Sequence, residues 1–294
     1  MALLGLISEF EATHGSREKR KNKFTIELTI EGEIESGFVA GMDYIFPRNK
    51  LNQIANQLAE KYLDDIVGRA TNENIAQFIM FNLSDLPVHT LRIYEGEKTF
   101  VEISKTEFDA EHYPAQLAYN LGQSFLLREE PDLAKEQLTK AIDLNPNFAE
   151  AYNLRGRSTK YLEGYAPALD DFLKAVELKS DFGEAWRNLG NAFLYLERFD
   201  EMVSAFDKSV ELMPDSALAI NNRGYGYFVI GKYELALHDH EKAVHLDPNY
   251  AEAHYDKGMA LTKLGRKEHA EKALHEATKL NDSGEDTFHE IKMY

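Results

Sequence analysis

The sequence predicts an α+β domain of order β-β-α-α-β-β followed by an all-α array of five helical hairpins. Two observations carry that division. Residues 24–31 and 88–103 alternate apolar and polar side chains with the period of two expected of half-buried strands. In the second half Gly122, Gly156, Gly190, Gly224 and Gly258 fall 34 residues apart. At ~7% glycine usage, the four recurrences after the first have odds of roughly 10⁻⁵. The expected boundaries are 1–112 for the first domain, 113–284 for the hairpins and 285–294 for a cap or tail.

Within the first domain, Phe24, Ile26, Leu28 and Ile30 alternate with Thr25, Glu27, Thr29 and Glu31. Gly5 to Thr13 and Phe38 to Phe46 read as further extended segments around that strand. Pro47 opens a helix whose Leu51, Ile54, Leu58 and Tyr62 share a face, and Thr71 can cap a second helix through Ile75, Phe78 and Ile79. Val88 to Glu95 and Thr99 to Ile103 alternate again across the turn Glu95-Gly96-Glu97-Lys98.

In the second half, small residues follow each repeated glycine at two fixed distances. Ala134, Ala168, Met202, Ala236 and Ala270 hold one position, and Ala141, Ala175, Ser209, Ala243 and Ala277 hold the other. A glycine inside a helix costs ~1 kcal/mol relative to alanine, so its recurrence points to two helix backbones in close approach. Apolar residues at helical spacing lie between them, Trp186, Leu189 and Phe193 in one helix and Val203, Phe206 and Val210 in its partner. Pro146, Pro214 and Pro248 stand near the ends of units, where proline disfavours helix at the preceding residue.

These residues resemble the tetratricopeptide repeat, with five units over roughly residues 115–284. Four positions depart from its pattern. Met202 and Ser209 replace alanines, Ser180 replaces a proline and His240 stands where an aromatic is usual, substitutions expected to loosen packing locally. Ser283 to Tyr294 is expected to start the polar cap that an end repeat needs.

The resemblance implies a concave groove lined by the first helix of each unit, which binds a peptide or a partner domain. Its lining would include Asn153, Arg157, Lys160 and Tyr161, then Arg187, Asn191 and Tyr195, then Asn221, Asn222, Tyr225 and Phe228. Amides can bond a peptide backbone on both its sides and arginines can fork onto carboxylates, which suits an extended acidic peptide. A merely solvated polar face is the other reading of the same residues. The family's clamp for a terminal carboxylate is half present: Arg187, Asn191 and Asn222 match, but Glu252 and Asp256 stand where cations belong. His238, His240 and His245 read as solvated or packing residues, because helix geometry turns the first two about 200° apart.

Several segments of residues 1–112 together resemble the 6-pyruvoyl- and 6-carboxy-tetrahydropterin synthase family, whose tunnelling fold oligomerises through its sheets. Phe10-Glu11-Ala12-Thr13-His14 is similar to the family's opening strand and its zinc-binding histidine, and Phe24 to Gly32 to the next strand. Gly41-Met42 is similar to the start of the Gly-Met-x-x-Asp-Phe segment, and Thr71-Asn72-Glu73-Asn74 to a helix start. Glu95 matches the glutamate that anchors the pterin ring.

Catalysis in that family needs three histidines on zinc, with one coordination position left open. Here Arg20-Lys21-Asn22 replaces the His-Gly-His, Asp65 replaces the proton-transfer histidine and Ile45 the aspartate. The expectation is therefore a non-catalytic domain with no metal and no cofactor. Glu95, Thr71 and His14 stay as candidates for holding a pterin- or purine-like ring, with a turn carboxylate and a helix cap as equal readings of the first two. The alternative is a pterin-related lyase or synthase working through His14, Asp65 and Glu95, or a sensor of such a ligand.

Composition bounds the function. With 33 basic against 50 acidic residues the net charge is −17, the wrong sign for binding nucleic acid through its phosphates. The absence of cysteine excludes disulfides, thiolate metal sites and a cysteine nucleophile, and fits a reducing compartment. No apolar run approaches the ~20 residues of a membrane span, and Met1 to Ile7 lacks the basic flank of a signal peptide. The sequence thus predicts a cytoplasmic, homo-oligomeric adaptor, scaffold or assembly factor with a protein or peptide partner.

Overall fold

The computed structural model describes residues 2–14, 20–32, 34–35, 38–39, 45–59, 72–83, 88–95, 99–104 and 112–282. These form two compact units, Met1–Leu162 and Glu163–Tyr294. In the first unit, β1 (Ala2–His14), β2 (Arg20–Gly32), β5 (Val88–Glu95) and β6 (Thr99–Ser104) make one antiparallel sheet of order β1-β2-β5-β6. A small ribbon pairs β3 (Ile34–Glu35) with β4 (Phe38–Val39). Two helices, α1 (Ile45–Ala59) and α2 (Asn72–Asn82), lie between the first and last strands in sequence. The order β-β-α-α-β-β is the predicted one, with the short ribbon added.

Alternation decides which sheet face is covered. Phe24, Ile26, Leu28, Leu91, Ile93 and Ile103 are buried in one cluster with Leu51, Ile54, Ala55 and Leu58 of α1 and Ile75, Ala76, Ile79 and Met80 of α2. On the opposite face Tyr94 donates to Glu27 at 3.0 Å and Arg92 donates to Glu102 at 2.7 Å. Of the predicted extended segment from Phe38 to Phe46, Phe38–Val39 is strand and Ile45 and Phe46 belong to α1, while residues 40–44 lie outside the described residues. Pro47 therefore lies inside the first turn, where its missing N–H has no intrahelical partner to lose.

The first unit continues with α3 (Tyr113–Leu127), α4 (Pro131–Leu144) and α5 (Ala149–Glu163), which runs to the edge of the unit. Its compactness past residue 112 has a visible cause. Tyr113 is buried in the core beneath the sheet, with Leu117 packed against it, and its ring lies 5.3 Å from that of Phe81. The opening turn of the first repeat is thus plugged into the α+β core, and burial pushes the Tyr113 hydroxyl pKa up.

The second unit holds α6 (Tyr165–Leu178), α7 (Gly183–Tyr195), α8 (Phe199–Leu212), α9 (Ala217–Val229), α10 (Tyr233–Leu246), α11 (Ala251–Lys263) and α12 (Lys267–Asp282). Turns within hairpins close alike: the N–H groups of Arg198, Lys232 and Arg266 donate to the carbonyls of Phe193, Tyr227 and Leu261. Each follows a left-handed residue, Glu197 (φ 57°), Gly231 (φ 76°) or Gly265 (φ 75°), which is a Schellman closure of the first helix. The exposed side chains of α12 include Lys267, Glu268, His269, Glu271, Lys272, His275 and Lys279, so the last described helix already presents a polar surface. The expected cap from Ser283 onward lies outside the described residues.

The departures from the repeat pattern do not loosen the array. Met202 is 0% exposed, and a Cβ on Gly226 would come 3.2 Å from its Cε, so a glycine in the next hairpin makes room for the larger side chain. Ser209, fully buried, donates its hydroxyl to the Gly183 carbonyl at 3.0 Å. The Ser180 carbonyl accepts the Trp186 indole N–H at 2.8 Å. Met202 is thus given space and the buried Ser209 hydroxyl a hydrogen-bond acceptor, as a buried polar group requires.

Candidate functional site

The two candidate regions lie on different parts of the fold. In the α+β domain, β1 ends at His14 opposite Arg20, and β5 ends at Glu95 opposite Phe24, so antiparallel pairing brings these residues to one end of the sheet. The side chains of His14 and Glu95, and the whole of Thr71, lie outside the described residues. Arg20, Lys21 and Asn22 open β2 at the same end. Among the described residues no group of three potential ligands could hold a metal ion.

The groove residues of the first unit sit on α5. Asn153 is buried at 1% exposure, Arg157 and Lys160 are half-buried and Tyr161 is exposed, with Lys160 Nζ 4.2 Å from the Tyr161 ring centroid. In the second unit the residues fall on α7 and α9. Arg187 and Asn191 are half-buried on α7, and Tyr195 at its end is exposed with its ring 5.0 Å from Tyr165. On α9, Tyr225 stacks on Phe228 at 6.4 Å, and Phe228 meets Tyr233 edge-on at 5.4 Å.

Two adjacent asparagines on α9 do different things. Asn222 faces α7: its Nδ2 donates to Asn191 Oδ1 at 3.3 Å, and the residue is only 3% exposed. Its Oδ1 has no hydrogen-bond partner among the described residues, so half of a buried amide is left to bond something else. Asn221 turns inward. It is 0% exposed, accepts from His240 at 2.7 Å and donates to Asp256 at 2.9 Å. The structure thus brings Arg187, Asn191, Asn222, Tyr225 and Phe228 onto the α7 and α9 helices of the candidate groove and removes Asn221 to the interior.

Two buried polar residues of the repeats, Asn120 and Asn188, escaped the sequence reading, although Asn222 and Asp256 at the same phase did not. Asn120, Asn188, Asn222 and Asp256 each stand two places before a repeated glycine, and all are buried. The 34-residue phase would have found the first two had polar residues been tested at every position of the repeat. No comparable signal marked Arg223, which reaches across from α9 to grip Asp239 of α10 at 2.7 and 2.8 Å. That carboxylate, together with Asp207 and Tyr227, holds the guanidinium pKa well above its usual value.

Hairpins in a fixed 34-residue phase, closed by left-handed turns and packed glycine against side chain, define a helical-repeat protein. The repeats are tetratricopeptide repeats: the family described as Tetratricopeptide repeat matches residues 115–148, 183–216 and 251–283, and that described as TPR repeat matches residues 224–265. Among solved structures, the chain is similar to MamA (41-end) from Desulfovibrio magneticus RS-1 at 22% identity. That match covers 59% of this chain and 98% of the other with a TM-score of 0.52. It is also similar to a chain of the APC/C hetero-tetramer Cut9-Hcn1 at 19% identity, covering 57% of this chain and 34% of that one with a TM-score of 0.53. Both likenesses are of fold. The N-terminal region is similar to dihydroneopterin monophosphate aldolase of Pyrococcus furiosus, 29% identical over 102 residues, which is 33% of this chain and 82% of the other. Among the described residues no helix is long and apolar enough to cross a membrane.

Proposed function

We propose that this protein is a non-catalytic adaptor whose repeats, within 113–284, hold an extended segment of a partner protein against α7 and α9. The observation that supports this best is the Asn191 amide, half-buried beside Arg187 on α7 and held from α9 by Asn222. A peptide laid along the groove would meet the half-buried Asn191 amide, which Asn222 orients from beneath, and Arg187 on the same helix would take an acidic side chain. The aromatic pair Tyr225 and Phe228 supplies apolar surface next to these polar groups.

Replacing Asn222 by alanine separates this role from stability. It removes one long hydrogen bond and one unsatisfied oxygen, so the unfolding free energy should change by less than about 1 kcal/mol. Loss of the hydrogen bond that orients Asn191 should weaken partner capture by the full chain by roughly 5- to 100-fold. Undiminished capture by both Asn222→Ala and Arg187→Glu would place the binding surface elsewhere.

The domain at residues 1–112 serves assembly in this reading. The outer edges of β1 and β6 carry no strand partner among the described residues, and β1 is 13 residues long, so two strand edges are open to pairing with another copy. Several grooves displayed together would raise a weak peptide affinity by about 10²- to 10⁴-fold where geometry permits simultaneous contact. Light scattering at micromolar concentration should return a multiple of the 33.6 kDa chain mass; a monomer would remove the avidity.

The similarity to an aldolase favours one second reading, a pterin-modifying enzyme using His14, Asp65 and Glu95. Stoichiometric zinc that disappears in His14→Ala, with turnover of a dihydroneopterin-type substrate, would establish it. The cations at Arg20 and Lys21 in place of imidazoles argue against such a site, since neither is a usual zinc ligand.

A further inference from the structure

In the fourth repeat one buried contact is polar where its counterparts are apolar. Leu138 packs on Gly122, Phe206 on Gly190 and Leu274 on Gly258, whereas the side chain against Gly224 is the imidazole of His240. It is 0% exposed, and a Cβ on Gly224 would lie 2.9 Å from its Cε1, so the ring fills its site closely. His240 Nδ1 is 2.7 Å from Asn221 Oδ1, and Asn221 Nδ2 donates to Asp256 Oδ2 at 2.9 Å. Because the amide nitrogen is committed to a carboxylate, the amide oxygen must be the acceptor from the ring. This assigns the proton to Nδ1 and leaves Nε2 as a lone pair, without a hydrogen-bond partner among the described residues.

One hydrogen-bonded chain, His240–Asn221–Asp256, therefore joins α10 to α9 and α9 to α11 through the interior. It requires a neutral ring, because a second N–H at Nε2 would be a buried charged donor with nothing to receive it. The charges nearby are already engaged. Asp239 of α10 is forked onto Arg223 of α9, Arg223 also reaches Asp207 of α8 at 3.2 Å, and exposed His238 lies 3.6 Å from Asp239. Lys257 of α11 pairs with Glu241 of α10 at 3.6 Å, and Asp256 holds Asn221.

We propose that His240 is an acid-operated latch on the groove: proton uptake expels the ring from beneath Gly224, breaks the buried chain and lets α11 part from α9, the helix that carries Asn222. Its consequence for partner binding rests on the groove reading above, while the latch does not. Burial holds the His240 pKa down to about 4 from 6.5, against the opposing pull of Asp239. Above pH 6.5 the ring is neutral whether the chain is folded or not, and the full stability is present. Between 6.5 and about 4 the unfolded chain takes up a proton that the folded chain refuses, so stability falls as pH falls, up to tenfold in the unfolding constant per unit.

Urea unfolding of the full chain between pH 7.5 and 4.5 tests this, comparing wild type with His240→Phe/Asn221→Leu/Asp256→Leu, which keeps an apolar knob and strands neither the amide nor the Asp256 carboxylate. The wild type should lose roughly 10²-fold more in its folding constant than the variant over that range. Hydrogen exchange corrected for intrinsic rates should show α9 to α11 deprotected by acid in the wild type alone. If the variant does not fold, the imidazole C–H resonances of the wild type still decide, with His240 expected to titrate well below 6.5. A His240 resonance titrating near pH 6.5, or equal acid sensitivity of the two proteins, would overturn the latch. No partner enters these measurements, so their outcome is independent of what the groove holds.

Discussion

Replacing Arg223 by leucine should destabilise the second unit by about 3–5 kcal/mol, the range for leaving a buried carboxylate without its counter-charge. Asp239 is the group at risk. Its side chain is 2% exposed, and both oxygens are taken by the Arg223 fork, Nε to Oδ2 at 2.7 Å and Nη2 to Oδ1 at 2.8 Å. The guanidinium also donates to Asp207 at 3.2 Å, and Tyr227 donates to the same oxygen at 3.3 Å, so one side chain ties α8, α9 and α10 together. Removing both charges in Arg223→Leu/Asp239→Leu should restore most of the loss, because the penalty comes from the stranded carboxylate rather than from the absent pair. Arg223→Lys should recover only part of it, since an ammonium cannot make the two parallel bonds. Urea midpoints of the four proteins measure each step; a double variant as unstable as Arg223→Leu would show that the pair itself, not the orphaned charge, carries the energy.

Phe206→Ala should cost a similar amount, about 3–5 kcal/mol, through the cavity it leaves. Its ring is 0% exposed and lies against two glycines, where a Cβ would come within 2.5 Å on Gly190 and 3.1 Å on Gly226. The same contact explains why Gly226 is glycine. A Cβ there would also press on Met202 at 3.2 Å, so Gly226→Ala should cost about 1–2 kcal/mol alone and part of that in a Met202→Ala background, where the Phe206 ring contact at 3.1 Å remains. Additive losses in that double-mutant cycle would show that the two positions do not share one space. Met202, an irregularity when the repeats are aligned, is thus one half of a matched pair whose other half lies in the next hairpin.

Much of the fold was legible in the sequence because it follows from local periodicity. Alternation over Phe24, Ile26 and Leu28 needs no knowledge of the partner strand to indicate a half-buried strand, and all three are buried as it requires. The repeated glycines and alanines identify the hairpins for the same reason, since every unit must bury the same small contact points. The start of α1 was read two residues late because proline in the first turn of a helix resembles proline at its beginning. At the groove, residue type and phase selected Arg187, Asn191 and Asn222. They could not say which of Asn221 and Asn222 faces inward, because both sides of α9 are covered by other helices.

The sequence by itself determined an α+β domain followed by tetratricopeptide hairpins in a 34-residue phase. Both are properties of residue type at a given spacing. Only the tertiary structure decided that Tyr113 plugs the first repeat into the core beneath the sheet, that Gly226 accommodates Met202, and that His240 is wired through Asn221 to Asp256. These depend on which volumes and hydrogen-bonding groups meet between helices distant in the chain. Close packing then turns each such meeting into a specific pairing that no periodicity encodes.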